Sequence, residues 1–545
     1  MTIPNAQSPT PKSPNAQFPT PKSRGEARAH PVHWSKLRRW AFLGIGSWML
    51  GVTVGCSATQ RAADSSYVTV IVRQSPLNFD PRIGTDEISQ RVHQLVYSRL
   101  MVHDDHLRVS PGLAARLDNP DPLTYIAHLR HGVRFHDGRE LTAKDVVYTF
   151  GSFLDPDFVS PRKGAYRMLA SVTASDDYTV VFKLKEPSGS FPIQLVMPIV
   201  PADAGDTLRT FPIGTGPYRF VQYVADEQVE LSAYEGYWDG LPLNAGVVLK
   251  IIPDETMRAL ELRKGGADMT VNDVSPDIAF ELQRRHEVRI TEAQGVDYTY
   301  IGMNLRDPLL ADKRVRQAIA HAVDREAIVT YLRRGLATPA VGVLSPVAWA
   351  FEPDVRQFEH SVAKAKTLLD QAGYKDPDDD GPLPRMRLSL TTSTDEFYRL
   401  QATVIQQNLR QVGIDVDVRS YEFATFYDDV LSGNVQMYTL QWVGVTDPDM
   451  LRRVFHSEQV PPVGFNRTYY SNPDVDRLID LATRATTDDE RLSYYRDVQK
   501  IVADDAPYIS LWYKTNIAVM RPNVSGMRLS AQADFLWLKD VRKSS

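Results

Sequence analysis

Many side chains in this sequence could do chemistry, but little in their spacing would assemble them. The 545 residues include 12 histidines, 67 acidic residues and a single cysteine. A serine or cysteine nucleophile needs a strained turn and a nearby base, and a zinc protease needs two histidines on one helical turn. No nucleophile elbow, HExxH, CxxC or Walker sequence occurs. His131 and His136 lie five apart in a strand–turn context and read as part of a scaffold hairpin rather than as metal ligands. His321, within the helical stretch 312–331, reads as a packing or surface residue. The acidic loop 376–384 contains DPDDDG but lacks the glutamate that closes a calcium loop, so a solvated turn is expected. Residues 213–220, IGTGPYRF, lack the Lys-Ser/Thr pair and following helix of a phosphate loop. These patterns predict no catalytic residues, no metal and no cofactor, and they leave binding as the positive reading.

The elements that would carry a binding site are legible. In 129–150, LRHGVRFHDGRELTAKDVVYTF, a half-buried strand is expected through Tyr125, Ala127 and Leu129, with a second short strand over 133–135. Asp137-Gly138 supplies a turn, and Thr142 sits where a helix cap is needed. Ala143, Val146, Val147 and Phe150 then give one apolar helical face. Helices are also expected over 87–100, 256–268 (stopped at Gly265-Gly266), 312–331, 363–373, 396–412, 475–485 and 488–505. Strands are expected at 67–72, 178–184, 298–303, 386–390, 416–420, 436–441 and 507–513. Strands alternating with helices predict an α/β protein, and the length predicts two or three lobes.

The N-terminus differs from the rest. PNAQSPTPKS at 4–13 is repeated almost unchanged at 14–23, and residues 1–34 read as a disordered Pro/Ser/Thr-rich extension. Residues 35–56 combine Lys36, Arg38 and Arg39 with an uncharged run of 40–55 that ends at Cys56. A basic flank and a short apolar run make a secretory signal, too short to span a bilayer comfortably. The cysteine at its end resembles a bacterial lipoprotein signal, with Cys56 the lipidated residue, although Thr53 stands where that pattern prefers Leu. Residues 57–66 would be a polar tether. Beyond residue 55 the chain holds 55 basic and 66 acidic side chains, a net of -11, which argues against nucleic acid as a partner.

The segment 129–150 closely resembles the signature of the bacterial extracellular solute-binding proteins of family 5, receptors that feed peptides or nickel to ABC importers. IGTGPYRF at 213–220, YEGYWDG at 234–240 and VRQAIAHAVDRE at 315–326 resemble further family motifs, and the likeness runs through about 67–538. The resemblance implies a periplasmic-binding-protein-like fold (class II/cluster C), two-lobed and hinged, with an extra inserted lobe. Lobe I would comprise 67–84, 192–297 and 507–545, lobe II 85–191, and lobe III 298–506, with closure about two crossing strands. It also implies a monomeric receptor of the periplasm or cell envelope, held by a lipid anchor, that hands a peptide or other small solute to a permease driven by a cytoplasmic ATPase.

For cargo, the resemblance singles out 440–451, LQWVGVTDPDML. In peptide-binding relatives this loop carries an aspartate that pairs with the peptide ammonium. Here Val445 falls near that place, and Asp447 either touches ligand or caps the turn before Pro448. Trp442, Gly444, Phe423, Tyr398 and, in lobe I, Asn78 complete the expected ligand-binding set. The stretch 391–397, TTSTDEF, lacks the arginine that dipeptide-binding relatives use for the ligand carboxylate. Oligopeptide is the expected cargo. A nickel chelate, opine or sugar is the alternative within binding, and a secreted hydrolase the alternative outside it. An acidic side chain in the cleft near Trp442 would favour a cargo with a free amine.

Overall fold

The computed structural model describes residues 66–379 and 381–544; the N-terminal extension, the signal segment with Cys56 and residues 57–65 lie outside them. Tyr67–Val72 reads YVTVIV, an almost unbroken apolar run, and it pairs in parallel with Gly246–Ile251 on one side and Met269–Val271 on the other. A parallel strand flanked on both edges is buried on both faces, so it has no need to alternate. Gln228–Ala233 and Tyr218–Val224 extend this side of the sheet as antiparallel strands. On the far side, Met386–Ser393 pairs in parallel with both Ile414–Tyr421 and Met437–Trp442.

Two long strands join these halves into one sheet, eleven-stranded among the described residues. Arg289–Met303 and Tyr508–Met520 run antiparallel to each other, from Arg289 opposite Met520 to Gly302 opposite Tyr508. Met437–Trp442 pairs with the C-terminal part of the first, and Met269–Val271 with the end of the second. Their ladder shifts register twice near its middle, between Gln294 and Tyr298 and again between Thr299 and Tyr300. An irregularity of this kind bends the strand and re-aims the side chains next to it.

Each half of the sheet has its own core. Val68, Val70, Val229 and Leu249 pack with the helix Glu87–Val96 through Ile88, Val92 and Leu95. Leu388, Leu390 and Ile414 pack with Ile405 and Leu409 of the helix Glu396–Arg410. A separate four-stranded antiparallel sheet, in the order Ala114–Asp121, Thr124–Leu129, Thr179–Leu184 and Leu169–Asp176, forms a third core. The helix Ala143–Gly151 inserts Val146 and Phe150 into this core, where Phe150 meets Phe182 edge-on at 5.1 Å.

The segment 129–150 departs from expectation in one detail. Residues 133–135 form no strand; a single bridge between Arg134 and Glu140 stands in its place. The turn itself is tight, with the Phe135 N–H donating to Arg139 O and Leu141 N–H to Val133 O around Gly138 at φ +91°. Two bonds in all are too few to extend a ladder, so the hairpin stays a turn. Thr142 caps Ala143–Gly151 as expected, its backbone N–H bonded to the Asp145 carboxylate at 2.9 Å. The strand expected over 507–513 begins one residue later, at Tyr508, and continues to Met520 because both of its edges find partners.

Candidate functional site

His136 is neither a ligand nor a surface residue. Its backbone N–H donates to Gly214 O at 2.9 Å, and its ring sits between the Gly214 N–H, 3.3 Å from Nδ1, and the Gly216 carbonyl, 3.0 Å from Nε2. That arrangement fixes the neutral tautomer with its proton on Nε2, and burial lowers the ring pKa to about 4. Tyr234 Oη donates to Phe135 O at 3.1 Å, and its ring packs against His136. Three motif segments (129–150, 213–220 and 234–240) are thus tied into one knot of satisfied hydrogen bonds. Gly214 and Gly216 are required there, since an added Cβ would lie 2.1 and 2.6 Å from the carbonyl oxygens of Val96 and Leu95.

The region around the break in the two long strands is different in kind. A cavity of about 340 Å³ opens there, lined on one wall by Arg73, Arg258 and Asp273 and on the other by Arg333, Phe397 and Lys514. The first wall is balanced. Arg73 bonds Glu87 at 2.7 Å and lies 3.9 Å from Asp273, while Arg258 donates to the carbonyls of Ile252, Pro253 and Asp273. Burial, helped by the Glu87 charge, raises the Asp273 carboxyl to about 6. The second wall is not balanced. Among the described residues no carboxylate lies within 4 Å of the Arg333 guanidinium or the Lys514 ammonium, and the buried Arg333 Nε has no partner. Burial pulls the pKa of both groups down.

The candidates from sequence divide around this cavity. Tyr398 lies in the first turn of Glu396–Arg410, half-buried beside Arg333, with burial raising its phenol. Trp442 ends its strand directly opposite Tyr298, and the chain then turns at Gly444, φ +67°. The Gly444 N–H donates 2.9 Å to Asp297 Oδ1, and Gln441 Nε2 donates 3.1 Å to Asp297 Oδ2. An acidic side chain therefore stands beside the Trp442 loop, placed there by the irregular stretch between Gln294 and Tyr298. Gly444, Val445 and Asp447 line a smaller cavity of about 140 Å³ facing Ile193 and Gln194.

Asp447 continues into a third cavity of about 400 Å³, with Tyr125, Trp349 and Arg491 among its walls. Its Oδ1 accepts the Asp449 N–H at 2.7 Å, so it does cap the turn while also facing a cavity. Burial and the neighbouring Asp449 raise its pKa to about 6 against the pull of Arg491. Phe423 opens the helix Phe423–Ser432, 55% exposed and stacked on Tyr427. Asn78 is engaged locally: Oδ1 accepts the Asp80 N–H, its N–H donates to Ser89 Oγ, and its carbonyl meets His93.

Sequence reasoning missed Asp297, Arg333 and Lys514. Two of them did leave a trace. Asp297 is the only charge in 296–303, and Lys514 the only charge in Tyr508–Met520. A lone charge in a buried strand is expensive unless it faces a cavity or a partner.

Similarity to known proteins agrees with this architecture. Residues 108–460 match the model of the bacterial extracellular solute-binding proteins, family 5 Middle. The oligopeptide-binding protein AppA of Bacillus subtilis is 31% identical over 482 residues, covering 84% of this chain and 88% of AppA. Its structure in complex with a nonapeptide superposes with a TM-score of 0.69 at 29% identity, over 88% of this chain and 99% of that one. NikZ from Campylobacter jejuni, in complex with Ni(L-His), gives a TM-score of 0.72 at 25% identity, over 88% of this chain and all of that one. The chain belongs to the bacterial extracellular solute-binding proteins of family 5, which are transport receptors and not enzymes.

Proposed function

We propose that this chain is the cargo receptor of an ABC importer and that its cargo is a peptide with a free carboxylate. The observation that carries this reading is the unbalanced wall of the 340 Å³ cavity, where Arg333 and Lys514 face inward without a carboxylate partner. A buried unpaired cation is costly, and a ligand carboxylate would offset that cost through charge-assisted hydrogen bonds. Asp297, beside Gly444 and Trp442, offers the opposite charge for an ammonium. We assign lobe I to 67–84, 192–297 and 507–545, lobe II to 85–191 and lobe III to 298–506. The helix Glu87–Val96, at the start of the lobe II segment, packs against the lobe I core and supplies the contact between the two. Closure would bend Arg289–Met303 and Tyr508–Met520 near Gln294–Tyr298, bringing the two cavity walls together over the cargo. The receptor acts as a monomer in the cell envelope, anchored through lipidated Cys56, so C56S would release it from the membrane fraction.

The test is thermal-shift and native mass spectrometry of the secreted chain with peptide pools, first as free acids and then as C-terminal amides. Free acids should raise the melting temperature by mass action, and amides should bind at least about tenfold more weakly. A shift with a sugar or a metal chelate, and none with any peptide pool, would overturn the peptide assignment.

A further inference from the structure

We infer that lobe III contains a buried binding site for a small monovalent inorganic anion, formed by Arg467 and the Trp442 indole beneath the cargo loop. Arg467 is only 4% exposed, and among the described residues no carboxylate lies within 4 Å of it. Its guanidinium is enclosed by rings, with Cζ 4.4 Å from the Trp442 centroid, 4.9 Å from Tyr427 and 5.4 Å from Phe465. Nη2 donates to Tyr427 Oη at 2.6 Å, while the buried Nε has no partner.

Four more buried polar groups lie in its neighbourhood, Trp442 Nε1 and the hydroxyls of Tyr300, Tyr438 and Tyr508, and the only partners they approach are one another. Tyr300 stacks on Tyr508 at 4.0 Å and lies parallel to Trp442 at 6.3 Å, so these groups form one cluster. All three phenols are close enough to Arg467 to feel its charge, yet burial holds each of them above the ordinary tyrosine range. They therefore remain neutral O–H groups and contribute no negative charge.

The cluster is consequently rich in donors, carries one positive charge and has no internal counter-charge. Neutral water would satisfy some of the donors but leave the cation uncompensated in a low-dielectric setting. A single anion does both, and one guanidinium matches one negative charge. A halide accepts from donors in any direction, which suits an indole N–H, a guanidinium N–H and hydroxyls carried on separate rings. The near-complete burial of Arg467 favours an ion taken up from bulk over a cargo carboxylate, which would need an open path.

The experiment uses the secreted chain in two arms. Crystals soaked in sodium bromide should show an anomalous peak among Arg467, Trp442 and Tyr300. In solution, chloride or bromide replacing gluconate at constant ionic strength should raise Tm by a saturating increment of about 2 °C. Arg467→Met, which keeps the packing of the stem, should abolish that increment. Bromide peaks elsewhere only, an ordered water at the site, a cargo carboxylate seated on Arg467, or an unchanged halide response in R467M would each overturn the inference. The crystal arm needs only the native sequence, so a variant that fails to fold cannot obscure the result.

Discussion

The turn at 129–150 and the wall at the strand break use their polar groups in opposite ways. In the first, His136, Tyr234 and the backbone of Gly214 and Gly216 satisfy one another within a buried knot. In the second, Arg333 and Lys514 are half-buried and unpaired. A group whose partner lies in the same chain holds the scaffold together, whatever the cargo. A group whose partner is missing from the chain is free to select a ligand. The family motifs fall in the first kind of region, which is why they identify the receptor and say little about what it carries.

Damage to the knot should have the largest effect. Gly214→Val would drive a side chain into the Val96 carbonyl, whose oxygen lies 2.1 Å from the new Cβ, with the Tyr97 ring 2.8 Å away. The expected cost is about 4 kcal/mol or more, enough to abolish soluble folded protein. Gly342→Ala, where an added Cβ meets nothing within 4 Å, serves as the control and should leave Tm unchanged. Circular dichroism melts of the two variants check this. A folded, native-like G214V would show that the knot is not structural.

His136 makes the same point with a proton. Its pKa falls from the unfolded value near 6.5 to about 4 in the folded chain, so the unfolded state binds the proton first. Stability is therefore complete above about pH 6.5 and declines as pH falls toward 4, by about 3 kcal/mol over the window. Chemical denaturation at pH 7, 5.5 and 4.5 follows the loss, and His136→Gln should flatten that part of the curve.

The cavity wall should behave in the reverse sense. Arg333→Met or Lys514→Met removes a charge that the fold does not use, so Tm should hold or rise. Cargo affinity should fall by about 10- to 100-fold, the value of one charge-assisted bond, in isothermal titration with a bound peptide. Loss of folding without a specific loss of affinity would place these residues with the scaffold and erase the distinction between the two regions.

The same distinction accounts for what could be read from the sequence. Local patterns located Asp488–Asp505, the parallel strand Tyr67–Val72 and the helix at Glu87, which ends at Val96 instead of running to the expected residue 100. The capped helix after Thr142 was legible because its cap lies within three residues of it. The cavity wall was not. Asp297 and Lys514 are brought together only by two strands more than 200 residues apart, and Asp297 is aimed by a ladder irregularity with no local mark. Arg333 reads as one of two adjacent arginines after a helix, and only packing against Phe397 turns it inward. Loop 440–451 was found through its likeness to relatives, and the acidic group beside it comes from a different strand.

Asp447 tests the comparison at its boundary, because it has a backbone partner and also faces two cavities. Burial raises its carboxyl to about 6 against an ordinary value of 3.8, so the folded chain holds a proton that the unfolded chain releases. The sign is then opposite to that of His136: the ionised carboxylate weighs against folding above about pH 6, and that penalty fades as pH falls toward 3.8. Asp447→Asn keeps the acceptor for the Asp449 N–H and removes the charge. Tm at pH 7.5 should rise by about 2 °C, and the difference should shrink to nothing by about pH 4. If cargo instead draws on this carboxylate as a counter-charge, D447N would weaken binding at neutral pH while still raising Tm. A gain in stability with affinity unchanged makes Asp447 a turn cap, and a gain in stability with a loss of affinity puts it with Arg333 and Lys514.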